Sequence, residues 1–233
     1  MDLLVNYESE EEIEEPKKKK LKLPNPLKSL KSDTEEVQDD PKLHDFRIRS
    51  FPHVRGNWAS FVYVKPEIDL GSISEKLAKI LSKFEAKTIP EPHLSLSKVF
   101  TLQYHWIESF NQSLKSKLKQ KVTKFPLGLS SNLKIFVNED STRTFVTVEI
   151  NENQALKQAL SCVDETLVEF GQEIFYKPAE FHISLIWILK NPKIPNEEIQ
   201  NCFSEWIETQ DKTNFTVEKI HAKIGNKFFE FDL

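Results

Sequence analysis

The sequence predicts an α+β fold: two β-rich lobes related by a pseudo-twofold, each an antiparallel sheet with packed helices, around a central cleft. Three observations predict it. Short runs rich in β-branched and aromatic residues are interleaved with stretches of helical apolar spacing. The order strand, helix, strand occurs twice along the chain. Each copy ends in a strand that carries a histidine and, two residues later, a serine: His93-Leu94-Ser95 and His182-Ile183-Ser184.

The elements follow in order. Ala59–Val64 reads as a strand that Pro66 ends. Ile73, Leu77, Ile80, Leu81 and Phe84 share a stripe, which predicts a helix over 72–86. Pro90 and Pro92 mark a break before a strand from His93 to Phe100. Trp106, Phe110 and Leu114 predict a helix over 104–120. Two strands, 127–138 and 142–150, flank a turn-forming Asn138-Glu139-Asp140-Ser141 and predict a hairpin. The second copy then begins, with a helix over 153–170, a Pro178 loop, a strand over 181–189 and a helix near 197–208. A strand over 215–224, a Gly225-Asn226 turn and a strand over 227–232 close the chain as a hairpin. Val62 lies 31 residues before His93 and Val146 lies 36 before His182, spacings that suit a divergent duplication with altered loops.

Composition bounds the rest. Residues 1–45 hold many charges and few large apolar side chains, too few to offset the entropy of ordering, so a disordered tail is expected there. Residues 46–233 carry all four tryptophans and are expected to form one folded domain. Within the tail, Lys17-Lys18-Lys19-Lys20-Leu21-Lys22 lies between Pro16 and Pro24 and reads as a nuclear-localisation-like block. The net charge of −4 does not advertise nucleic-acid binding, but it averages over blocks of opposite sign. Cys162 and Cys202 have no cysteine near them in sequence, which argues against a disulfide framework or a thiolate zinc site and for a reducing compartment. The opening MDLLVNYESEEEIEE lacks the pattern of a secretory signal, and no apolar run is long enough to cross a bilayer.

In a strand, side chains alternate between faces. His93, Ser95 and Ser97 therefore share one face, and His182 and Ser184 share one face of their own strand. Phe181, Ile183, Leu185 and Trp187 fall on the other side and are expected in the core. A serine or threonine two residues after a histidine arises by chance for about one histidine in eight, and the chain has six histidines. The coincidence alone carries little. The shared phasing and the shared place in a repeat carry more, because lobes packed face to face would bring both His/Ser pairs to one cleft. Two imidazoles flanking a phosphodiester can act as general base and general acid. Two hydroxyls can donate to the nonbridging phosphate oxygens, where charge develops. Such chemistry needs no metal, and no carboxylate cluster, phosphate-binding glycine loop or histidine-rich ligand set stands out. It suits a substrate with its own nucleophile, such as the 2′-hydroxyl of RNA.

The paired "HLSL" and "HISL" resemble the signature of the 2H phosphoesterases. With "RSFPHVRGNWASFVYV" (Arg49 to Val64), "FYKPAEFHISLIW" (Phe175 to Trp187) and the closing "KIGNKFFEF", the chain resembles the U6 small nuclear RNA phosphodiesterases from Phe46 onward. The resemblance implies the 2H phosphoesterase fold and a nuclear, metal-independent 3′→5′ exonuclease, without cofactor, that trims the oligouridine 3′ end of U6 RNA. It implies a 2′-hydroxyl nucleophile and a 2′,3′-cyclic phosphate product, which some members open to a 3′-phosphate. It implies His93 and His182 as the catalytic pair. Which of them is base and which acid does not follow from the sequence, and His182 as base with His93 as acid is the working assignment. Ser95 and Ser184 would bind phosphate, and Tyr176, six residues before His182, would stack on the terminal base. A monomer acting on single-stranded RNA 3′ ends, with no membrane partner, is expected. A cyclic-nucleotide phosphodiesterase of other RNA ends and a non-catalytic RNA-binding module remain as alternatives. Arg55 and Lys98 are candidate phosphate contacts, Trp58 a core residue, His53 and His221 structural, and Ser97 has no counterpart at Ile186.

Overall fold

The computed structural model describes residue 54, residues 56–138 and residues 140–233. The tail 1–45 with its basic block, His53 and Arg55 lie outside the described residues. The elements are β1 (Asn57–Val64), α1 (Gly71–Ile80), β2 (Lys87–Thr88), β3 (Leu94–Ser95), β4 (Phe100–Gln103), α2 (Ile107–Lys121), β5 (Phe125–Val137), β6 (Arg143–Asn151) and α3 (Gln154–Glu169). They continue with β7 (His182–Leu189), α4 (Asn196–Glu208), β8 (Asn214–Val217), β9 (Lys219–Ile224) and β10 (Lys227–Asp232). The expected α+β architecture is present, every strand pairing being antiparallel.

One lobe is β10-β9-β1-β3 and the other β7-β6-β5-β8; β4 adds to β1, and β2 adds to β7. The lobes join where β3 pairs β7, so their sheets are continuous through the two strands that carry the His and Ser residues. One sheet face is apolar, with Val62 and Val64 of β1, Val146 and Val148 of β6 and Ile183 of β7 buried. The helices bury the stripes that the sequence phased toward the core: Ile73 and Leu77 of α1; Phe110, Leu114 and Leu118 of α2; Leu156, Val163 and Leu167 of α3; Ile199, Phe203 and Trp206 of α4. At about 1.5–3 kcal/mol for each large side chain buried, these stripes dominate the stability of the helices. The helix α3 starts where the Asn153 side chain accepts the Leu156 N–H at 2.9 Å. The β5–β6 hairpin is set by Asn138, whose side chain accepts the Arg143 N–H and donates to Thr142 Oγ1.

Two expected strands divide. The run His93–Phe100 becomes β3 and β4, because Ser97 interrupts the ladder: its hydroxyl accepts the Val62 N–H at 2.8 Å, taking the place of a backbone carbonyl. The run Phe215–Ile224 divides at Glu218. Its first part, β8, pairs with β5 in one lobe, and its second, β9, pairs with β1 in the other. One residue links β8, at one end of the sheet order, to β9, one strand in from the other end, so the sheet must fold back on itself.

The closing hairpin turns at Gly225, whose φ of +58° is left-handed, and whose absent Cβ would stand 2.0 Å from Cε3 of Trp58. Gly225→Ala is expected to lower stability by at least about 1 kcal/mol, from backbone strain and displacement of the indole. A urea midpoint equal to that of the parent would refute this account of the turn.

Candidate active site

Leu94 of β3 lies opposite Ile183 of β7. In an antiparallel pair, one further step in each direction sets His93 across from Ser184 and Ser95 across from His182. The two motifs thus meet head to tail as four half-buried side chains on one sheet face, with the pseudo-twofold passing between them. Leu94 and Ile183, on the reverse face, are fully buried and hold the seam.

Each imidazole is held in the same way. His93 Nδ1 donates to the carbonyl of Glu91 at 2.9 Å, and His182 Nδ1 donates to the carbonyl of Glu180 at 2.8 Å. A carbonyl only accepts, so each Nδ1 carries the proton, and Nε2 is the atom left for chemistry. In both strands the accepting residue stands two before the histidine, making the repeat Glu-x-His-x-Ser. The rings are also walled by aromatics to which the His/Ser pattern gives no pointer. His93 lies 5.3 Å from Phe61 and 5.3 Å from Tyr63, while His182 stacks on Phe136 at 4.3 Å. The signal for Phe61 and Tyr63 is the alternation in β1, which places them on the face of Ser95, opposite Val62 and Val64. His221, expected to be structural, stacks on Tyr63 at 5.3 Å, one ring removed from His93.

Burial shapes the electrostatics of His182. It pushes the His182 pKa below the usual imidazole value, against the partial opposition of the Glu180 carbonyl and the Glu180 and Glu149 carboxylates. His182 therefore favours its neutral form. Among the described residues no cluster of three or more His, Cys, Asp or Glu is arranged to hold a metal ion. A surface hollow of about 640 Å³ lies between α2 and α3, and none of the four motif residues lines it.

The chain is similar in sequence and in fold to known proteins. The model of a family described as "HVSL: uncharacterised conserved protein" matches residues 21–232. The U6 snRNA phosphodiesterase 1 of Drosophila melanogaster is 35% identical over 205 residues, covering 85% of this chain and 79% of the fly protein. That of Xenopus laevis is 34% identical, covering 97% of each chain. The chain belongs to the U6 snRNA phosphodiesterase family. Its fold is that of the Kluyveromyces marxianus Usb1 structure, with a TM-score of 0.52 at 12% identity, covering 76% of this chain and 98% of that one. A Thermus thermophilus structure shares the fold at a TM-score of 0.53 and 15% identity, covering 74% and 97%. By family the chain is a phosphodiesterase.

In this U6 snRNA phosphodiesterase family member the other residues singled out in the sequence separate clearly. Tyr176 sits on the loop before β7, 47% exposed, with Lys98 Nζ 4.6 Å above its ring. Lys98 also pairs with Glu173 at 3.1 Å. Trp58 packs at the edge of the core, as expected. Trp187 does not join the core. Val146 faces Ile186 while Thr147 faces Ser184, so Leu185 is an extra residue, a β-bulge. Leu185 and Ile186 both turn to the core, and Trp187 moves to the face of His182 and Ser184, where it is half-buried. Strict alternation puts Trp187 on the wrong side because alternation cannot register a bulge.

Ser95 and Ser97 are distinguished by what they touch. Ser95 is half-buried on the motif face, whereas Ser97 is 4% exposed and satisfies the Val62 N–H. Ser97→Ala should cost about 1–3 kcal/mol of stability, because it strands a buried donor. It should leave the turnover of folded enzyme within about twofold, a variation inside the ordinary spread for a residue away from the reacting atoms. Denaturant unfolding together with steady-state kinetics checks both; a large fall in turnover with unchanged stability would reverse the assignment.

Proposed function

We propose that the protein is a 3′→5′ RNA exonuclease that trims the oligouridine end of U6 small nuclear RNA in the nucleus. The observation that carries the mechanism is the crossed pairing of His93 with Ser184 and Ser95 with His182, with each imidazole anchored through Nδ1. The substrate follows the name shared by the relatives, U6 snRNA phosphodiesterase 1. The nuclear setting follows from that substrate and from the basic block Lys17–Lys22.

In this reading the neutral Nε2 of His182 takes the proton of the 2′-hydroxyl next to the scissile phosphate. The 2′-oxygen attacks phosphorus, the bond to the 5′-oxygen of the terminal residue breaks, and His93 in its protonated form gives that oxygen a proton. The products are a 2′,3′-cyclic phosphate and a terminal residue with a free 5′-hydroxyl. Lowered basicity of the half-buried His182 supports its role as base, since it favours an unprotonated Nε2 at neutral pH. Ser95 and Ser184 donate to the nonbridging oxygens, as fixed hydrogen bonds that strengthen when negative charge develops. Tyr176, exposed beside Lys98, stacks on the terminal base. No step calls for a metal ion.

His93→Ala and His182→Ala are each expected to lower kcat by about 10²–10⁴-fold while RNA binding persists. Trimming of an oligouridine-ended RNA is expected to continue in excess EDTA, with mass spectrometry of the new 3′ end reporting a cyclic phosphate. Near-normal rates in either variant would remove the paired-histidine mechanism, and loss of trimming on chelation would remove the metal-free one. A protein that acts on 2′,3′-cyclic nucleotides but leaves a 3′-hydroxyl oligouridine intact would be a cyclic-nucleotide phosphodiesterase instead.

The pH dependence follows from the sign of the His182 shift. Protonation of His182 removes the base, so activity falls as pH drops through its pKa. Because that pKa is lowered, the acid limb of the kcat/KM profile should lie below about 6.5, the ordinary imidazole value. An acid limb above that value would assign the base elsewhere.

A further inference from the structure

The pseudo-twofold repeats more than the histidines and serines. Lys98 stands five residues after His93 and lies over Tyr176, which stands six residues before His182. Trp187 stands five residues after His182, and Lys87 stands six before His93. These two also meet: Lys87 is opposite Trp187 across β2 and β7, with Nζ 5.4 Å from the ring centroid. Each motif is thus flanked, at matching offsets along the chain, by a lysine paired with an aromatic ring, with ring and cation interchanged; the first pair lies in loops and the second on β2 and β7. The bulge at Leu185 is what brings the second pair to the face of the motif residues. Next to Trp187 in register is Phe145, with the Arg143 guanidinium 5.7 Å from its ring, so the surface there is both aromatic and cationic.

We propose that Lys87 and Trp187 form a second nucleotide subsite, holding the ribonucleotide on the other side of the scissile phosphate from the base carried by Tyr176. This inference rests on the reading of Tyr176 as the stack for the terminal base. The site lies on the motif face and continues along β7 from Ser184. A ribonucleotide matches it in two respects: a base presents a flat π-face to the indole, and its phosphate is the anion that an ammonium beside the ring attracts. A cleavage that breaks one internucleotide bond needs both flanking nucleotides held, and a pseudo-symmetric site offers two equivalent holders about one phosphate. It also favours RNA of two or more nucleotides over a mononucleotide.

The test uses the full chain with His93→Ala to stop turnover, and measures fluorescence anisotropy of a 5′-fluorescein pentauridylate alongside calorimetry with uridine monophosphate. Trp187→Ala should weaken the pentauridylate about 5- to 150-fold, the range that one base–aromatic stack supplies. It should weaken uridine monophosphate less than about twofold, since the mononucleotide keeps Tyr176. Trp187→Phe should recover most of the loss. Lys87→Ala, a change at an exposed position of a short edge strand, should weaken the pentauridylate and lower the slope of log affinity against log salt by about 0.7. Pentauridylate binding equal to the parent in both Trp187→Ala and Lys87→Ala overturns the subsite while leaving the exonuclease reading intact, provided the protein with His93 restored still trims. Equal loss of mononucleotide and pentauridylate in Trp187→Ala would make the indole a structural element and likewise overturn it. If the parent binds and trims no oligouridine, the subsite falls together with the reading on which it rests.

Discussion

One antiparallel contact organises the molecule: Leu94 against Ile183, where β3 meets β7. Both side chains are fully buried, and the core holds the seam from below. Because antiparallel strands run in opposite senses, the contact places each histidine across from the serine of the other motif. A parallel pairing would have set like against like. A one-residue slip would have sent one motif into the core, since each step along a strand exchanges its faces. The buried leucine and isoleucine between the polar residues thus fix the register of the site as well as the stability of the seam.

The backbone also sets the chemistry of the rings. Each Nδ1 spends its proton on a carbonyl two residues upstream, which leaves Nε2 available on both histidines. With the tautomers equal, the surroundings distinguish the two. His182 is stacked closely on Phe136 and its basicity falls with burial. His93 meets Phe61 and Tyr63 at longer range, with Tyr63 and His221 continuing the row of rings outward. Near-symmetry of the fold and asymmetry of the surroundings together suit two imidazoles with opposite proton duties.

Much of this is readable along the chain, and the rest is hidden for identifiable reasons. The helices are legible because each buries a single stripe, and a stripe is a local pattern. The His/Ser face is legible because period-two alternation holds from His93 to Ser95 and from His182 to Ser184. Alternation misleads at Trp187, since the extra residue at Leu185 leaves no mark in composition. It misleads also at His93–Phe100, where a serine hydroxyl replaces a carbonyl in the ladder. At Glu218 the alternation changes phase, from Phe215 and Val217 to Ile220, Ala222 and Ile224, which marks a break but not that β8 and β9 serve different lobes.

By itself the sequence determined the two motifs, their phasing, the helices that cover the sheet and the family to which the chain is similar. These depend on the order of side chains along single elements, which is local information. Only the tertiary structure decided that the motifs cross, that a carbonyl orients each imidazole, that burial lowers the basicity of His182, and that Lys87 and Trp187 meet beside the site. Those depend on register between strands far apart in sequence and on the exclusion of water by packed neighbours. Neither quantity exists until the chain has closed on itself.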